Sequence, residues 1–313
     1  MGLKLADELF GQIIKDYFPD VSLLVKKRQD VLKELEGELK ATVVAYIGNT
    51  NHPLSSIMPQ DIDALMDLVN IASRKGKKLY LILESLGGDG NVAEKLINVF
   101  RTTFSEGFYV IIPNNAKSAA TMLALGSDKI IMGINSELGP IDPQIQVQLP
   151  SGQVQYVPAK SITGTLEKVK KEVEGNEKLA SVYYPILQQI RPEQLKFCED
   201  AIKFATAFAE RWLEKGCMKG RTKKDIAIAV GELTTGDRFN MHGSVINFEE
   251  AQRMRMNVDM WKIEENKWKL VWQYYLRAKA SFQTNPNATK LFESTESSVN
   301  MNVQIIPMGN QPR

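Results

Sequence analysis

The sequence predicts an α/β protein built on a parallel sheet. Two passages carry that prediction. Lys78 to Leu83 (KLYLIL) and Gly107 to Ile112 (GFYVII) are apolar runs of buried-strand length. Each leads through a turn into a helical pattern, Asn91 to Phe100 in the first case and Ala119 to Leu125 in the second. Strand, turn and helix in succession, twice over, make a βαβ unit. The third observation concerns the turns themselves, Glu84-Ser85-Leu86-Gly87-Gly88-Asp89-Gly90 and Asn114-Asn115-Ala116-Lys117-Ser118-Ala119-Ala120-Thr121. Parallel strands deliver such turns to one sheet edge, the edge at which open α/β sheets bind ligands.

Taken in order, Leu3, Leu5, Leu9, Ile13 and Ile14 fall at helical spacing over residues 3–17, and Pro19-Asp20 interrupts them. A second helix is expected over 21–40. Leu23, Leu24, Val31, Leu32, Leu35 and Leu39 form its apolar stripe, with Lys26, Lys27, Arg28, Lys33 and Glu34 facing water. This hairpin packs on its own domain or contacts another subunit. Residues 41–47 (ATVVAYI) read as the first buried strand, and a helix from Pro59-Gln60-Asp61 to about Arg74 follows, striped by Ile62, Leu65, Leu68, Val69 and Ile71. Residues 128–133 are a further strand. Residues 144–157 alternate around Pro150-Ser151-Gly152 as a β-hairpin, with Ile145, Val147, Val154 and Tyr156 or Val157 inward.

Pro158 then opens a long helical pattern broken at Gly164 and Gly175. Two long helices over 165–215, split near Arg191-Pro192-Glu193, carry stripes at Leu179, Val182, Tyr183, Leu187 and Ile190, then at Leu195, Phe197, Ala201, Phe204, Phe208 and Trp212. A helix over 223–232 follows. A late amphipathic helix over about 262–282 is expected, with Trp261, Trp268, Val271, Trp272, Tyr275 and Leu276 as its stripe. From Thr284 the chain turns polar and reads as a flexible tail, in which VNMNVQII has the alternation of an added strand.

Composition narrows the function classes. Of 313 residues 43% are hydrophobic, as in globular proteins, and the net charge of +2 gives no argument for nucleic acid or an anionic membrane. The two cysteines, Cys198 and Cys217, fit neither a metal spacing nor a disulfide framework, so a reducing cytoplasm is the expected compartment. Asp7 and Glu8 interrupt the apolar N-terminal pattern, against a signal peptide, and Ala6 weakens a myristoylation reading of Gly2. No uncharged apolar run approaches the roughly 20 residues of a membrane span, so no membrane anchor of its own is expected. No Walker sequence, phosphate fingerprint or Cys/His cluster appears, and no cofactor and no metal are expected.

The two turns hold the parts of acyl transfer. Glycines let backbone N–H groups approach a reacting atom closely. A serine just ahead of a helix can expose its hydroxyl while the next N–H points at the same spot. Acyl transfer needs such a nucleophile and such donors. From spacing alone a plainer reading also stands, in which Gly87-Gly88 is a tight turn and Ser118 a helix N-cap.

The segment SLGGDGNVAEKLINVF resembles the "S-P-G-G, then helix" segment of the Clp protease proteolytic subunit and of signal peptide peptidase A. AKSAATMLALGSDKIIMGINSELGPIDPQ resembles their nucleophile segment, and SELGPIDPQ is most similar to the serine dehydrogenase proteinase family, a branch of the Clp/crotonase superfamily. The likeness covers roughly residues 41–160, with a weaker stretch at 236–258. It implies Ser118 as nucleophile, the amides of Gly88 and Ala119 as oxyanion hole, and a Clp/crotonase-type spiral ββα core with helical additions at both ends. The chain departs from the pattern at three places. Leu86 replaces the proline before the glycines. No histidine stands near Ile141, where the Clp base falls. Met254-Arg255-Met256 replaces the superfamily's Leu-Gly-Leu.

Without that histidine, lysine is the next candidate base, and it must be neutral to act. Lys160 follows the helix start at Pro158, whose positive end favours the neutral amine. The segment PAKSITGTLEKV is similar to the lysine-bearing segment of signal-peptide-peptidase-like and stomatin-operon proteases, which use a Ser–Lys dyad. Lys168, Lys117 and His242 are the rivals. Glu137 and Asp142 brace the turn after residue 133 or orient another group, and His52 reads as a loop residue.

The expectation is a cytoplasmic serine endopeptidase of the Ser–Lys type acting on peptide or unfolded protein, assembled as a homo-oligomer, with no nucleic-acid partner. Its divisions are an N-terminal helical hairpin over 1–40, a peptidase domain over 41–260, and a C-terminal helix and tail over 261–313. The alternatives are a catalytically silent oligomeric scaffold and a crotonase-like acyl-thioester enzyme.

Overall fold

A computed structural model describes residues 9–17, 21–148, 151–235 and 243–303. Its main sheet has seven strands: β1 (Thr42–Gly48), β2 (Lys78–Glu84), β3 (Gly107–Ile112), β5 (Lys129–Met132), β9 (Val258–Met260), β10 (Ala288–Ser294) and β11 (Ser298–Asn302). The order is β11-β10-β1-β2-β3-β5-β9. Every pairing from β1 to β9 is parallel, and β10 and β11 join antiparallel. The expected α/β class and parallel core hold.

The two faces of the sheet bury different residues because side chains alternate along a strand. Leu79, Leu81 and Leu83 of β2 face one core, with α3 (Asp61–Ser73), α4 (Gly90–Thr103) and α5 (Ala119–Leu125). Ile82 of β2 faces the other, with Val31, Leu32 and Leu35 of α2 (Val21–Leu39) and Val271, Tyr274 and Ala278 of α11 (Asn266–Thr284). The helix α2 therefore packs on its own domain. The short α1 (Phe10–Tyr17) adds Ile13 against Leu24 and Ala280.

Beyond the carboxyl ends of the strands the backbone forms a second, shorter layer. Ile57 bridges Gly88, Ser85 bridges Ala116, β4 (Asn115–Ala116) pairs with β6 (Glu137–Leu138), and Leu138 bridges Ile246. Each turn of the spiral thus runs from a main strand to a short outer segment and then into a helix, as β1–Ile57–α3, β2–Gly88–α4 and β3–β4–α5. This is the expected ββα spiral.

The second half carries β7 (Gln144–Gln148), β8 (Val154–Pro158), α6 (Ala159–Gly175), a 3-10 turn at Glu177–Leu179, α7 (Ala180–Leu187), α8 (Pro192–Lys215), α9 (Lys223–Thr235) and α10 (Phe248–Arg253). The helix α6 starts after Pro158 as predicted but runs through Gly164 without a break. In the hairpin Ile145 pairs with Val157, and both pack on Ala159 and Cys198. Of the two alternatives Tyr156 and Val157 the inward one is Val157, and Val154, expected inward, points outward with Tyr156, because this register places both on the opposite face from Val157. The stripe on α7 is not fully buried: Leu179, Tyr183, Leu187 and Ile190 are half-buried and Val182 is exposed, as are Tyr184 and Ile186 beside it.

Two further expectations are corrected. Arg28, assigned to the solvent face of α2, is fully buried, with its Nε and Nη2 donating to the Glu293 carboxylate at 2.8 and 3.0 Å. The stretch after Thr284, read as a flexible tail, supplies β10 and β11 over residues 288–302. Every residue of β10 is buried, and the strand pairs with β1 inside the sheet. The strand expected in VNMNVQII is β11, and it pairs with β10 of its own chain rather than with a strand of another. Among the described residues no helix is long and apolar enough to cross a membrane.

Candidate active site

The glycine turn leaves β2 as an extended ribbon held on both sides. On one side Ser85 exchanges hydrogen bonds with the chain after β3: its N–H donates to the Asn115 carbonyl and its carbonyl accepts from Lys117 N–H, both at 3.0 Å. On the other side Ile57 N–H donates to the Gly87 carbonyl at 2.7 Å, and Asp89 N–H donates to the Ile57 carbonyl at 2.9 Å. Those two bonds flank Gly88 and leave its own N–H without a partner among the described residues.

The glycines are required by contact and by backbone angle. Gly87 has φ +109° and Gly88 +145°. A Cβ on Gly88 would lie 2.3 Å from the Ile57 carbonyl oxygen, and one on Gly87 would lie 2.6 Å from the Ser118 Cβ. The absence of side chains brings the two turns together.

Ser118 stands at that junction as the residue before α5, with φ 49° and ψ −119°. A non-glycine residue there is strained by roughly 1–3 kcal/mol, and such strain gathers at functional positions. Its hydroxyl caps nothing and makes no hydrogen bond among the described residues, with Lys160 or with any other. That answers the plainer reading of Ser118 as a side-chain cap. The next N–H, of Ala119, opens the helix and has no intrahelical acceptor, as is general for first-turn donors. Asp89 does cap its helix, accepting from Asn91 N–H at 2.8 Å.

The serine lines a cleft of about 450 Å³. Its floor is the glycine turn, one end is Ile141-Asp142-Pro143-Gln144, and its wall is Met122 of α5 with Phe197, Ala201 and Phe204 of α8. Tyr156 and Ser56 complete the rim. The amino ends of α4 and α5 both meet this cleft, so its floor carries positive potential from backbone N–H groups.

The candidate bases fall in different places. Lys160 is the second residue of α6 and half-buried. The start of that helix is tied to the cleft by Ala159 N–H donating to the Pro143 carbonyl at 2.8 Å. Lys117, though adjacent to the serine, turns away: its ammonium pairs with Glu137 at 2.9 Å and donates to the Leu138 carbonyl at 3.1 Å. Glu137 therefore braces the turn. Lys168 is exposed and lies 3.9 Å from Glu172 on the same helix. His52 accepts from Leu54 N–H within its loop at 3.1 Å. His242 lies outside the described residues. Asp142 is buried beside the cleft and accepts from the Gln144 side chain at 2.7 Å.

Sequence reasoning missed Ser56-Ile57 and the α8 wall. The loop before α3 has no marked composition, and Phe204 read as core because it shares a stripe with Phe208 and Trp212. The one available signal was Phe197 continuing that apolar stripe to the helix's first turns.

Comparison with known proteins adds a family. A family model described as ClpP-like SDH-type serine proteinase matches residues 12–275. Two uncharacterized proteins of Methanocaldococcus jannaschii are similar. One is 28% identical over 214 residues, covering 66% of this chain and 70% of its own length. The other is 26% identical over 137 residues, covering 42% and 46%. Among solved structures, a mutant of the 1510-N membrane-bound stomatin-specific protease aligns with TM-score 0.42 and 15% identity, over 66% of this chain and 75% of that one. A ClpP1 mutant from Listeria monocytogenes aligns with TM-score 0.36 and 12% identity, over 75% and 99%.

Proposed function

The chain belongs to the ClpP-like SDH-type serine proteinase family, and from that premise we propose that it is a serine endopeptidase using a Ser118–Lys160 dyad. The reading is carried by one observation: an unbonded hydroxyl on a strained backbone at the cleft, beside two backbone donors without partners.

In this mechanism the Ser118 Oγ attacks the peptide carbonyl carbon while its proton passes to the neutral Lys160 Nζ. The carbonyl oxygen takes up the negative charge and receives hydrogen bonds from Gly88 and Ala119 N–H. Donors already oriented there need no rearrangement as charge develops, and losing one costs about 10²–10³ in rate in comparable sites. Collapse breaks the C–N bond, and the proton on Lys160 goes to the leaving amine. Water then attacks the acyl carbon while giving a proton to Lys160, the bond from that carbon to Ser118 Oγ breaks to release the acid, and Lys160 returns the proton to Oγ.

Lys160 is favoured over its rivals because Lys117 is committed to Glu137 and Lys168 faces solvent, whereas the helix that bears Lys160 begins against Pro143 at the cleft. An open cleft walled by aromatic and small residues suits an extended peptide segment. A homo-oligomer belongs to the same proposal, supported by the exposed apolar side chains of α7 and by Phe197.

Ser118→Ala is expected to abolish both peptide hydrolysis and fluorophosphonate labelling while the circular dichroism spectrum stays that of the wild type. A hydrolytically active alanine variant would remove the assignment. Lys160→Ala should abolish hydrolysis as well, and retained activity there would return the base to His242 or Lys117.

A further inference from the structure

The loop that clamps Gly88 is itself held by a buried ion pair. Asp61 opens α3 and is wholly buried, and Lys290 of β10 is 2% exposed. The Lys290 ammonium donates to Asp61 Oδ1 at 2.6 Å. The other carboxylate oxygen accepts from the Tyr46 hydroxyl at 2.6 Å and from Met58 N–H at 2.9 Å. Asp61 N–H donates back to the Met58 carbonyl at 3.0 Å, so residue 58 is gripped from both sides. Residue 57 is next in the chain, and its N–H and carbonyl are the groups that flank Gly88.

Removing two charges from water is costly, and a helix start needs no ion pair to be capped. A buried pair earns its place by fixing one geometry, and the geometry fixed here is the Ser56–Met58 loop. A Cβ on Gly88 would meet Ile57 backbone atoms at 2.3, 2.4 and 2.9 Å, so the two backbones are already as close as atoms allow. A displacement of Ile57 is therefore passed directly to Gly88.

We propose that Asp61 and Lys290 are positioning residues that aim the Gly88 N–H into the cleft by way of Met58 and Ile57. This rests on the reading of that N–H as an oxyanion donor. It extends the site to a strand at the far end of the chain, beyond residue 275 where the family match stops.

The test is the double variant Asp61→Leu/Lys290→Met, which removes both charges together, leaves none buried alone and takes away the acceptor of Met58 N–H. A backbone donor shifted from its aim is expected to lower kcat for a peptide substrate, and the rate of fluorophosphonate acylation, by about tenfold or more with KM little changed. Hydrogen exchange in the segment 86–91 should quicken by a similar factor, because Asp89 N–H is donated to Ile57. Val31→Ala, a comparable loss of core packing in α2 on the other side of the sheet, should alter neither quantity. Lys290→Arg alone, which keeps the pair with Asp61, should retain the wild-type rate. If the double variant does not fold, Tyr46→Phe removes one bond to Asp61 while leaving the ion pair, and a smaller change of the same kind is expected. Wild-type exchange at 86–91 and a wild-type acylation rate in the folded variant would overturn the proposal. A wild-type protein that fluorophosphonate does not label would instead sink the serine reading, and the exchange comparison would still decide this one.

Discussion

Glu84 ends β2 and directly precedes the glycine turn, and it is fully buried. Its carboxylate accepts from the Tyr275 hydroxyl at 3.0 Å, and the Lys279 ammonium lies 3.9 Å away. Burial pushes the acid up from 4.5 to about 7, with Lys279 and the Tyr275 bond pulling the other way. The folded chain therefore holds a proton between pH 4.5 and 7 that the unfolded chain has released. The stabilisation is complete below pH 4.5 and is lost as the pH rises through about 7, a fall on the order of 3 kcal/mol. Glu84→Gln keeps an acceptor for Tyr275 and removes the titration. Urea unfolding should give the variant and the wild type similar stability at pH 4.5 and the variant the higher stability at pH 8. An unchanged pH profile would mean that Glu84 does not titrate in this window. Buried residues of this kind are hard to read from sequence. Glu84, Arg28, Asp61 and Lys290 each look like solvated charges along the chain, and each has a partner more than 190 positions away. Ser118 and the glycine pair were legible because their chemistry is local: a turn, a helix start and a positive φ.

Among the elements, the turn from α10 into β9 shows why one departure from the family pattern matters. Met256 N–H donates to the Ala251 carbonyl at 3.2 Å and Arg255 N–H to the Gln252 carbonyl at 2.8 Å. These are the paired bonds of a Schellman C-cap, and Ala251 and Met256 are both buried across it. The motif sets its C′ residue in the left-handed region, where Arg255 sits at φ 61°. Glycine is usual there, which accounts for the Leu-Gly-Leu of the superfamily segment that Met254-Arg255-Met256 replaces. The left-handed backbone costs a side-chain-bearing residue about 1–2 kcal/mol, and glycine gives back about 0.5–1 through the freedom of the unfolded chain. The exposed pair of Arg255 with Asp225, at 3.2 Å, contributes little. Arg255→Gly is thus expected to raise stability by about 0.5–1 kcal/mol, measured by urea unfolding, with no change in hydrolysis. A loss of stability would mean that the pair with Asp225 outweighs the backbone strain. Strands β1, β2, β3 and β5 were legible because both faces are buried and the runs are continuously apolar. The helix α7 was misjudged for the converse reason: its apolar stripe matches a core helix, yet the described residues leave it half-buried and none of it fully buried.

At the scale of the whole molecule, the C-terminal stretch that reads as polar is part of the fold's interior. ATKLFES in β10 carries Lys290 and Glu293, which lower its apparent hydrophobicity, but each meets an opposite charge supplied by an earlier element, Asp61 of α3 and Arg28 of α2. With those charges neutralised, Leu291 and Phe292 pack into opposite cores and the strand extends the parallel sheet past β1. The edge of the parallel core is consequently capped by an antiparallel pair, and α11 crosses the rear face to deliver it. Two routes then run from this C-terminal unit to the cleft: Tyr275 and Lys279 reach Glu84 at the root of the glycine turn, and Lys290 reaches Asp61 behind Ile57. Deleting residues 286–313 tests that dependence. Were the stretch a tail, the shortened chain would keep its stability and its cleft. Its removal strips β1 of a partner strand and leaves Asp61 and Arg28 as buried charges without counterions, and breaking even one buried pair in this way costs about 3–5 kcal/mol. The expected result is a chain that no longer unfolds cooperatively at 25 °C by circular dichroism and urea titration. A cooperative transition in the shortened chain would show that β10 rests on the sheet without supporting it.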